Sequence, residues 1–301
     1  MADESLHRGL AEPPASALAR LLARWRRRHA ESVAAVRDMA VPPPDLPPVV
    51  LTVRQWLWGP GFVIPGDAAH MLSLVCPLGL APATTLLDVS AGLGGPARAV
   101  ARAFDATVIG LERDPDQARM GMAFARAEGL AKRAPVSVYD PEGFELPPQR
   151  YDGVIAREAV YTVRDKERFL RVLMQGLKPQ GALVLAEFVL DRTAGDRLGL
   201  ANWAPLPAYP PYLWTLERYV DCLKALGFTV RRADDMTAAY RAMMIAGWTR
   251  LAHRADLRTL PRTHFAPVID EAERAMRTVE ALDSGILKIV RITAAARAGH
   301  S

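Results

Sequence analysis

Residues 86–100 read LLDVSAGLGGPARAV, and this stretch decides the fold class. An apolar run ends at Asp88, a glycine-rich turn follows, and Pro96 stands at the start of a predicted helix. A strand, a turn and a helix in this order form a ligand-binding elbow in parallel α/β sheets. Residues 92–97 also fit the pattern G-x-G-x-x-A, which is typical of dinucleotide-binding turns but is weak evidence when it stands alone.

Strands and helices alternate along the rest of the chain. The predicted strands are 85–90, 106–112, 135–140, 151–158, 181–190, 229–234 and 285–294, and the helices include 96–104, 116–130, 166–177 and 215–228. Apolar strands that alternate with helices indicate a parallel sheet covered on both faces. We therefore predict a doubly wound, Rossmann-like α/β fold with a seven-stranded sheet, mostly parallel with an antiparallel last strand.

The N-terminal part of the chain lies outside this alternation. Residues 15–39 have a helical period, and the proline-rich stretch VPPPDLPPVV (41–50) then indicates an extended linker. We therefore expect a helix and a linker over 1–50, followed by the sheet domain over 51–301.

A second segment, 235–283, is too long for a tight hairpin between the last two strands, and its pattern is helical. Met244 and Trp248 are four residues apart and share a helix face that must be buried. The carboxyl edge of the sheet is the nearest apolar partner. We predict a helical lid over that edge, formed together with the aromatic stretches 56–62 and 203–214.

The composition, with 50% hydrophobic and 24% charged residues among 301, is that of a globular protein. The net charge of +5 is mild. The one dense basic cluster is RLLARWRRRH (20–29), and we interpret it as the solvated face of a helix rather than as a surface that binds an anionic membrane or partner. We expect no nucleic-acid binding and, without an apolar run of about 18 residues, no stable membrane insertion. Cys76 and Cys222 predict neither a disulfide framework nor a metal site, and the N-terminus lacks a signal-peptide pattern, so we expect a cytoplasmic location.

Asp88 distinguishes between two kinds of ligand for the glycine-rich turn. A dinucleotide would bring its pyrophosphate there, where a carboxylate at the strand end repels it. S-adenosylmethionine (SAM) has no phosphate and carries an ammonium and a sulfonium, which a carboxylate attracts. The pattern D-x-x-x-G-x-G therefore predicts a SAM site with Asp88, Ser90, Gly92 and Gly94, whose glycines let the backbone approach the ligand closely.

Two further carboxylates end predicted strands. Glu112 ends the second strand and can accept hydrogen bonds from both ribose hydroxyls, which suits SAM and a dinucleotide alike. Asp140 ends the third strand, where its side chain can accept a hydrogen bond from the adenine amino group. The alternative for each is an ordinary loop or N-cap residue, since acidic residues are common there.

The order of the motifs along the chain resembles that of a known family. The segments are DVSAGLGG (88–95), VIGLE (108–112), VYD (138–140), YDGVIAREAVY (151–161) and LKPQGALVLAEF (177–188). In this order they resemble the class I SAM-dependent methyltransferases, over roughly residues 55–294. WLWGPGFVIPG (56–66) and AREAVYTV (156–163) are similar to segments of the phosphoethanolamine- and sterol-type enzymes, which implies SAM as the cofactor and a small-molecule methyl acceptor.

Three positions depart from that family's pattern. Ser90 stands where the family usually has glycine, so the backbone there is either unstrained or held by a hydrogen bond of the hydroxyl. Thr162 stands where phosphobase enzymes carry a His near the acceptor, and PLPAYPPY (205–212) lacks the Arg expected for an acceptor phosphate. These departures weaken the case for a phosphorylated amine acceptor, though not the case for methyl transfer.

Glu158 and Tyr161, just past the fourth strand, are the candidate catalytic residues. Glu158 can accept a proton or bind an acceptor ammonium, and its alternative role is a salt bridge to Arg157. Arg157 can instead hold the carboxylate of SAM. The Trp, Tyr, Met and Pro residues of the predicted pocket walls suit an apolar or aromatic acceptor, or a cation held over aromatic faces.

The expected function is methyl transfer from SAM, by in-line displacement, to a small amine or to an apolar or aromatic metabolite. A non-catalytic SAM-binding partner subunit is an alternative reading. An NAD-dependent oxidoreductase is a further alternative, which Asp88 disfavours. A homodimer is compatible with the sequence.

Overall fold

A seven-stranded sheet forms the centre of the computed structural model, which describes residues 49–192, 197–205, 208–253 and 265–297. In chain order the strands are β1 (Thr85–Asp88), β2 (Thr107–Glu112), β3 (Val136–Val138), β4 (Tyr151–Arg157), β5 (Leu177–Leu190), β6 (Phe228–Asp235) and β7 (Leu287–Ala296). Their order across the sheet is β3-β2-β1-β4-β5-β7-β6. The first five strands pair in parallel, and β7 runs antiparallel between β5 and β6, which confirms the predicted fold class.

The strand bounds differ by up to four residues from the predicted ones. β3 ends at Val138, two residues before Asp140, because the Asp140 carboxylate accepts a hydrogen bond from the N–H of Glu142 and starts a turn. β5 begins at Leu177 rather than at 181, directly after the preceding helix. β1 likewise ends at Asp88 rather than at 90, whereas β2 ends at Glu112 as predicted.

Helices pack around the sheet. In chain order they are α1 (Val49–Trp58), α2 (Ala68–Val75), α3 (Gly95–Phe104), α4 (Pro115–Ala127), α5 (Lys166–Gly176), α6 (Arg197–Trp203), α7 (Leu216–Ala225), α8 (Thr237–His253) and α9 (Phe265–Asp283). No helix within the described ranges is long and apolar enough to cross a membrane. The predicted helix over 15–39, with its basic cluster 20–29, lies outside the described residues. α1 begins within the predicted linker, because Leu51, Val53 and Leu57 bury an apolar stripe immediately after the prolines.

The strands are buried on both faces, as expected of a parallel sheet between two helical layers. Leu86 and Ile155 belong to the core on one face, which α1, α2, α8 and α9 cover. Leu87 and Val154 belong to the core on the other face, which α5 and α7 cover. This packing fixes the carboxyl ends of β1 and β4 side by side, where Asp88 pairs in register with Ile155.

The glycine-rich turn between β1 and α3 packs against the aromatic segment 56–66. The N–H of Gly95 donates a hydrogen bond to the C=O of Gly61 at 3.0 Å, and a Cβ on Gly95 would lie only 2.5 Å from that oxygen. Gly94, the N-cap of α3, has a φ of 72°, a conformation that favours glycine. The glycines therefore let the aromatic segment lie directly on the turn.

The predicted lid segment 235–283 contains α8 and α9, and α8 packs against α1. Gly247 of α8 lies against the buried Trp58 indole of α1, and the Arg250 guanidinium donates a hydrogen bond to the C=O of Leu57 at 3.1 Å. We call the layer formed by α1, α8 and α9 the helical roof.

Replacing Gly247 with alanine tests the packing of this roof. Glycine to alanine inside a helix ordinarily stabilises a protein by about 0.5–1 kcal/mol. At position 247 the added methyl group would collide with the Trp58 ring, so we expect Gly247→Ala to lower the free energy of unfolding by about 1–3 kcal/mol in urea titrations. In a Trp58→Leu background the same replacement should cost less, and a stabilised Gly247→Ala single variant would show that α8 does not pack on Trp58.

Candidate active site

A cavity of about 250 Å³ lies at the carboxyl ends of β1, β2 and β4. Its floor consists of strand ends and the turns that follow them, with Val89, Ser90, Gly92, Glu112, Arg157 and Glu158. The helical roof lines the opposite side, with Arg54, Trp58, Tyr240, Met244, Trp248, Glu271 and Arg274. Trp203 and Tyr209, from the predicted wall segment, line it as well.

The cavity brings together most of the site residues predicted from the sequence. Those that line it are Ser90, Gly92, Glu112, Arg157, Glu158 and Tyr161. Asp88 does not line it, but this residue is buried and bonded to Ser90. Gly94 caps α3 and shapes the turn without lining the cavity.

Asp140 lies away from the other predicted residues. It is exposed and does not line the cavity, whereas its neighbours Tyr139 and Pro141 do. Its carboxylate bonds to the N–H of Glu142 at 3.0 Å, which is the loop role named above as the alternative. The Tyr139 hydroxyl donates a hydrogen bond to the C=O of Val89 at 2.9 Å and so ties the end of β3 to the turn after β1.

Only one of the two oxygens of the Asp88 carboxylate has hydrogen-bond partners among the described residues. Its Oδ1 accepts hydrogen bonds from the Ser90 N–H at 2.9 Å and from the Ser90 hydroxyl at 2.7 Å, while Oδ2 is buried and has no partner among the described residues. The Ser90 oxygen also accepts a hydrogen bond from the N–H of Arg157 at 2.9 Å. Burial raises the pKa of Asp88, and the bonds from Ser90 oppose that rise. Ser90 thus replaces glycine without a left-handed backbone, and its hydroxyl both donates and accepts a hydrogen bond.

The Glu112 carboxylate faces the glycine-rich turn. Its Oε2 accepts a hydrogen bond from the N–H of Gly92 at 2.8 Å, and its Oε1 accepts one from the N–H of Asp114 at 2.9 Å. Burial raises the pKa of Glu112, and both backbone bonds oppose that rise. Each oxygen has a second lone pair, so a cavity-lining carboxylate held in this way can still accept bonds from two ligand hydroxyls.

Glu158 combines a strained backbone with a buried carboxyl group. It has a φ of 50°, uncommon for a residue with a side chain, and such strain is concentrated at functional sites. Its N–H donates a hydrogen bond to the C=O of Ala186 at 2.9 Å, and its carboxyl group is hydrogen-bonded to the Tyr240 hydroxyl. Burial raises the pKa of Glu158 to about 7, although the Arg157 charge opposes the rise. A group with this pKa can take up and release a proton near neutral pH.

Arg157 interacts electrostatically with Glu158 on the floor of the cavity and with the buried Asp88 beside it. Its guanidinium is buried and donates hydrogen bonds to the Met71 sulfur and the Pro65 C=O, both at 3.3 Å. Burial lowers the pKa of Arg157, and the charges of Glu158 and Asp88 oppose that change. Arg157 and Glu158 interact through their charges without a salt bridge among the ion pairs of the described residues, and the place of Arg157 on the cavity wall fits the binding of a ligand carboxylate.

Tyr161 is held in an aromatic cluster at one side of the cavity. Its ring lies edge-on to Phe188, with centroids 5.3 Å apart, and 6.0 Å from Trp203. Burial raises its pKa well above the ordinary value of 10, so the hydroxyl stays protonated at neutral pH. Tyr161 can therefore donate a hydrogen bond but is not a base.

Glu187 holds the segment that carries both candidate catalytic residues. Its fully buried carboxylate accepts hydrogen bonds from three consecutive N–H groups, those of Ala159, Val160 and Tyr161, at 3.1–3.2 Å. Burial raises the pKa of Glu187 to about 7, against the effect of these bonds. Sequence reasoning missed this residue, although a charge inside the apolar strand GALVLAEFVL (181–190) was a visible signal.

Sequence reasoning also missed three of the basic residues that line the cavity, Arg54, Arg113 and Arg274. Arg113 donates a hydrogen bond to the Thr162 hydroxyl at 2.9 Å and stacks 3.5 Å from the centre of the Tyr209 ring. Arg54 and Arg274 come from α1 and α9, which carry no recognisable motif. Their placement in the site depends on tertiary packing, which the sequence pattern alone does not indicate.

No metal centre is evident in the part of the chain that the structure describes. That part contains no group of three or more His, Cys, Asp or Glu side chains suited to a metal ion. Cys76 and Cys222 are both free thiols.

Comparison with known sequences identifies related proteins. The sequence profile of the methyltransferase domain family matches residues 14–233. Sterol 24-C-methyltransferase of Yarrowia lipolytica is 25% identical over 205 residues, which cover 65% of this chain and 54% of the relative. Phosphoethanolamine N-methyltransferase 2 of Caenorhabditis elegans is 24% identical over 194 residues, which cover 64% of this chain and 43% of the relative. The chain spans about half the length of these curated relatives.

Comparison of folds identifies a similar solved structure. It is phosphoethanolamine N-methyltransferase 2 of Haemonchus contortus, in complex with phosphomonomethylethanolamine and S-adenosylhomocysteine (SAH). The TM-score is 0.73 at 18% sequence identity, and the similarity covers 83% of this chain and 57% of that one. At this level of identity the likeness shows a shared fold.

The raised pKa of Glu158 predicts how stability depends on pH. Its stabilising contribution is full below the ordinary pKa of about 4.5 and is lost as the pH rises through about 7. Glu158→Gln should therefore gain stability over the wild type between pH 5 and pH 8, by up to about 3 kcal/mol. Urea unfolding at a series of pH values measures the difference. The exposed Glu280→Gln control should keep the wild-type pH slope, and an unchanged slope in Glu158→Gln would contradict the assignment.

Proposed function

Because the chain belongs to the methyltransferase domain family, we propose that it transfers a methyl group from SAM to a small-molecule acceptor bound beneath the helical roof. The observation that carries the proposal is the half-satisfied Asp88 carboxylate beside the glycine-rich turn. A buried carboxylate oxygen without a hydrogen bond is costly, and a ligand that brings positive charge to the turn offsets that cost. The acceptors in the names of the relatives, sterols and phosphoethanolamine, are small molecules as well.

The residues on the floor of the cavity, together with the buried Asp88 beside it, fit SAM in four respects. Asp88 and Glu112 supply negative charge next to the turn, where a pyrophosphate would be repelled. Glu112 has lone pairs for the ribose hydroxyls, and Gly92, with a φ of 52°, lets the backbone approach the ligand. Arg157 is the candidate for the ligand carboxylate. When bound, SAM supplies a methyl group that is already activated by the sulfonium.

In this proposal, the residues at the end of β4 support proton transfer from the acceptor. Glu158 is the proton acceptor in this proposal, because its pKa of about 7 lets it accept a proton from an amine or a hydroxyl group. Tyr161 donates a hydrogen bond that orients the acceptor. The charge of Arg157 and the hydroxyl of Tyr240 oppose the effect of burial on the Glu158 pKa.

The helical roof sets the choice of acceptor in this proposal. Its residues Tyr240, Met244 and Trp248 line the cavity from α8. They exclude water and contact the acceptor rather than SAM. A cytoplasmic location and a possible homodimer, both expected from the sequence, are further parts of this proposal.

The proposal predicts a difference between two strand-end carboxylates. Glu112→Gln should weaken SAH binding by about tenfold to a hundredfold in isothermal titration calorimetry, because charge-assisted bonds to the ribose are lost. With SAM and a panel of amines and phenols, the wild-type protein should release SAH, and Glu112→Gln should do so more slowly at low SAM concentration.

Asp140→Asn is the matched control, because it also neutralises a carboxylate just past a strand but lies outside the cavity. It should leave SAH affinity within about twofold of the wild type. An equal loss in both variants, or SAH binding that Glu112→Gln does not change, would contradict the proposed site.

A further inference from the structure

The helical roof holds more basic than acidic side chains at the cavity. Arg54 of α1 and Arg274 of α9 line it, with Glu271 of α9 between them. Arg54 binds Glu271 through two hydrogen bonds, from Nε to Oε1 at 2.9 Å and from Nη2 to Oε2 at 3.2 Å. This fork uses both oxygens of one carboxylate, so the pair is neutral and Arg274 gives the trio a net charge of +1.

Two hydrogen-bond donors on the roof are buried without acceptors. The Nε of Arg274 lies 3.6 Å from Oε2 of Glu271, too far for a hydrogen bond. The indole N–H of Trp248 is likewise buried, and neither donor has a partner within the residues that the structure describes. Because buried donors are nearly always bonded in native proteins, the roof lacks acceptor atoms that a ligand can supply.

The basic part of the roof and the candidate catalytic residues belong to one pocket. Burial raises the pKa of Tyr161, and the charges of Arg54 and Arg274 both act to lower it. Arg54 acts on the pKa of Glu158 in the same direction. A molecule that reaches Glu158 through this pocket therefore passes within the field of both arginines.

We propose that the methyl acceptor carries an anionic group, a carboxylate or a phosphate, which binds Arg274 and Arg54 at the roof while the atom to be methylated faces Glu158. This inference rests on the proposed methyltransferase function and narrows its acceptor class. The planar guanidinium of Arg suits two-point binding of either anion. The aromatic side chains of the pocket suit an apolar or aromatic body attached to that anion.

Three aromatic probes separate charge from shape. Benzoate, phenyl phosphate and the neutral benzamide are titrated into the full-length, SAH-loaded protein and followed by calorimetry. At least one anion should bind about tenfold more tightly than benzamide, and the tighter of the two identifies the group as a carboxylate or a phosphate. Binding of benzamide as tight as that of both anions, or no binding of either anion, overturns the proposal.

Substitutions on α9 locate the anion. Arg274→Met should weaken the preferred anion by about tenfold or more and leave SAH affinity within about twofold, and Arg274→Lys should recover part of the loss. Arg277→Met removes the same charge from an exposed position on the same helix and should change neither affinity. Equal losses in the Arg274→Met and Arg277→Met variants, or no loss in Arg274→Met, would overturn the assignment.

The same titrations on protein without SAH distinguish the two proposals. If the protein binds the anion through Arg274 but does not bind SAH, the proposed function is wrong and the anion site is supported. If the protein binds SAH but shows no preference for anions, the anion site is wrong and the proposed function is supported.

Discussion

The hydroxyl group of Ser90 joins the ends of two strands to one buried carboxylate, and the geometry of the site depends on it. It donates to Asp88 at the end of β1 and accepts from the backbone of Arg157 at the end of β4. One oxygen of Asp88 is thereby satisfied, while the other is buried without a hydrogen bond among the described residues. Leaving a buried carboxyl oxygen without a partner costs free energy, and in the proposed function a cationic ligand at the turn offsets this cost.

Two other carboxylates also bind backbone N–H groups at the strand ends. Glu112 holds the backbone of Gly92 in the turn, and Glu187 holds three consecutive N–H groups after β4. Buried carboxylates therefore surround the glycine-rich turn, while the roof has excess positive charge from Arg274. In the proposed function this separation of charge orients two different molecules, a cationic donor at the turn and an anionic acceptor at the roof.

Local patterns were sufficient to predict the sheet and much of the floor. Asp88, Glu112 and Glu158 follow apolar runs, and residues at strand ends meet at one edge of a parallel sheet whatever the rest of the fold. Asp140 was predicted from the same pattern, but β3 ends two residues earlier, and so small a difference is enough to carry its side chain away from the cavity. Hydrogen bonds in the following turn decide at which residue a strand ends. The hydrophobic periodicity of the sequence contains no information about these bonds.

The site residues that only tertiary packing brings together could not be predicted from the sequence. Arg54 and Arg274 meet at Glu271 only because α1 and α9 pack side by side over the sheet. No spacing in the sequence joins them, since more than 200 positions separate Arg54 from its partner. Glu187 is an intermediate case, because a charge inside an apolar strand indicates a special role without indicating which backbone groups it binds.

The central claim is that a buried carboxylate makes the glycine-rich turn a site for a cationic nucleoside rather than for a dinucleotide. Parallel calorimetric titrations of the full-length protein with SAM and with NAD test it most directly. SAM should bind in the micromolar range, corresponding to about −8 kcal/mol, and NAD should not bind at the same concentrations. Binding of NAD in that range without binding of SAM would contradict the account.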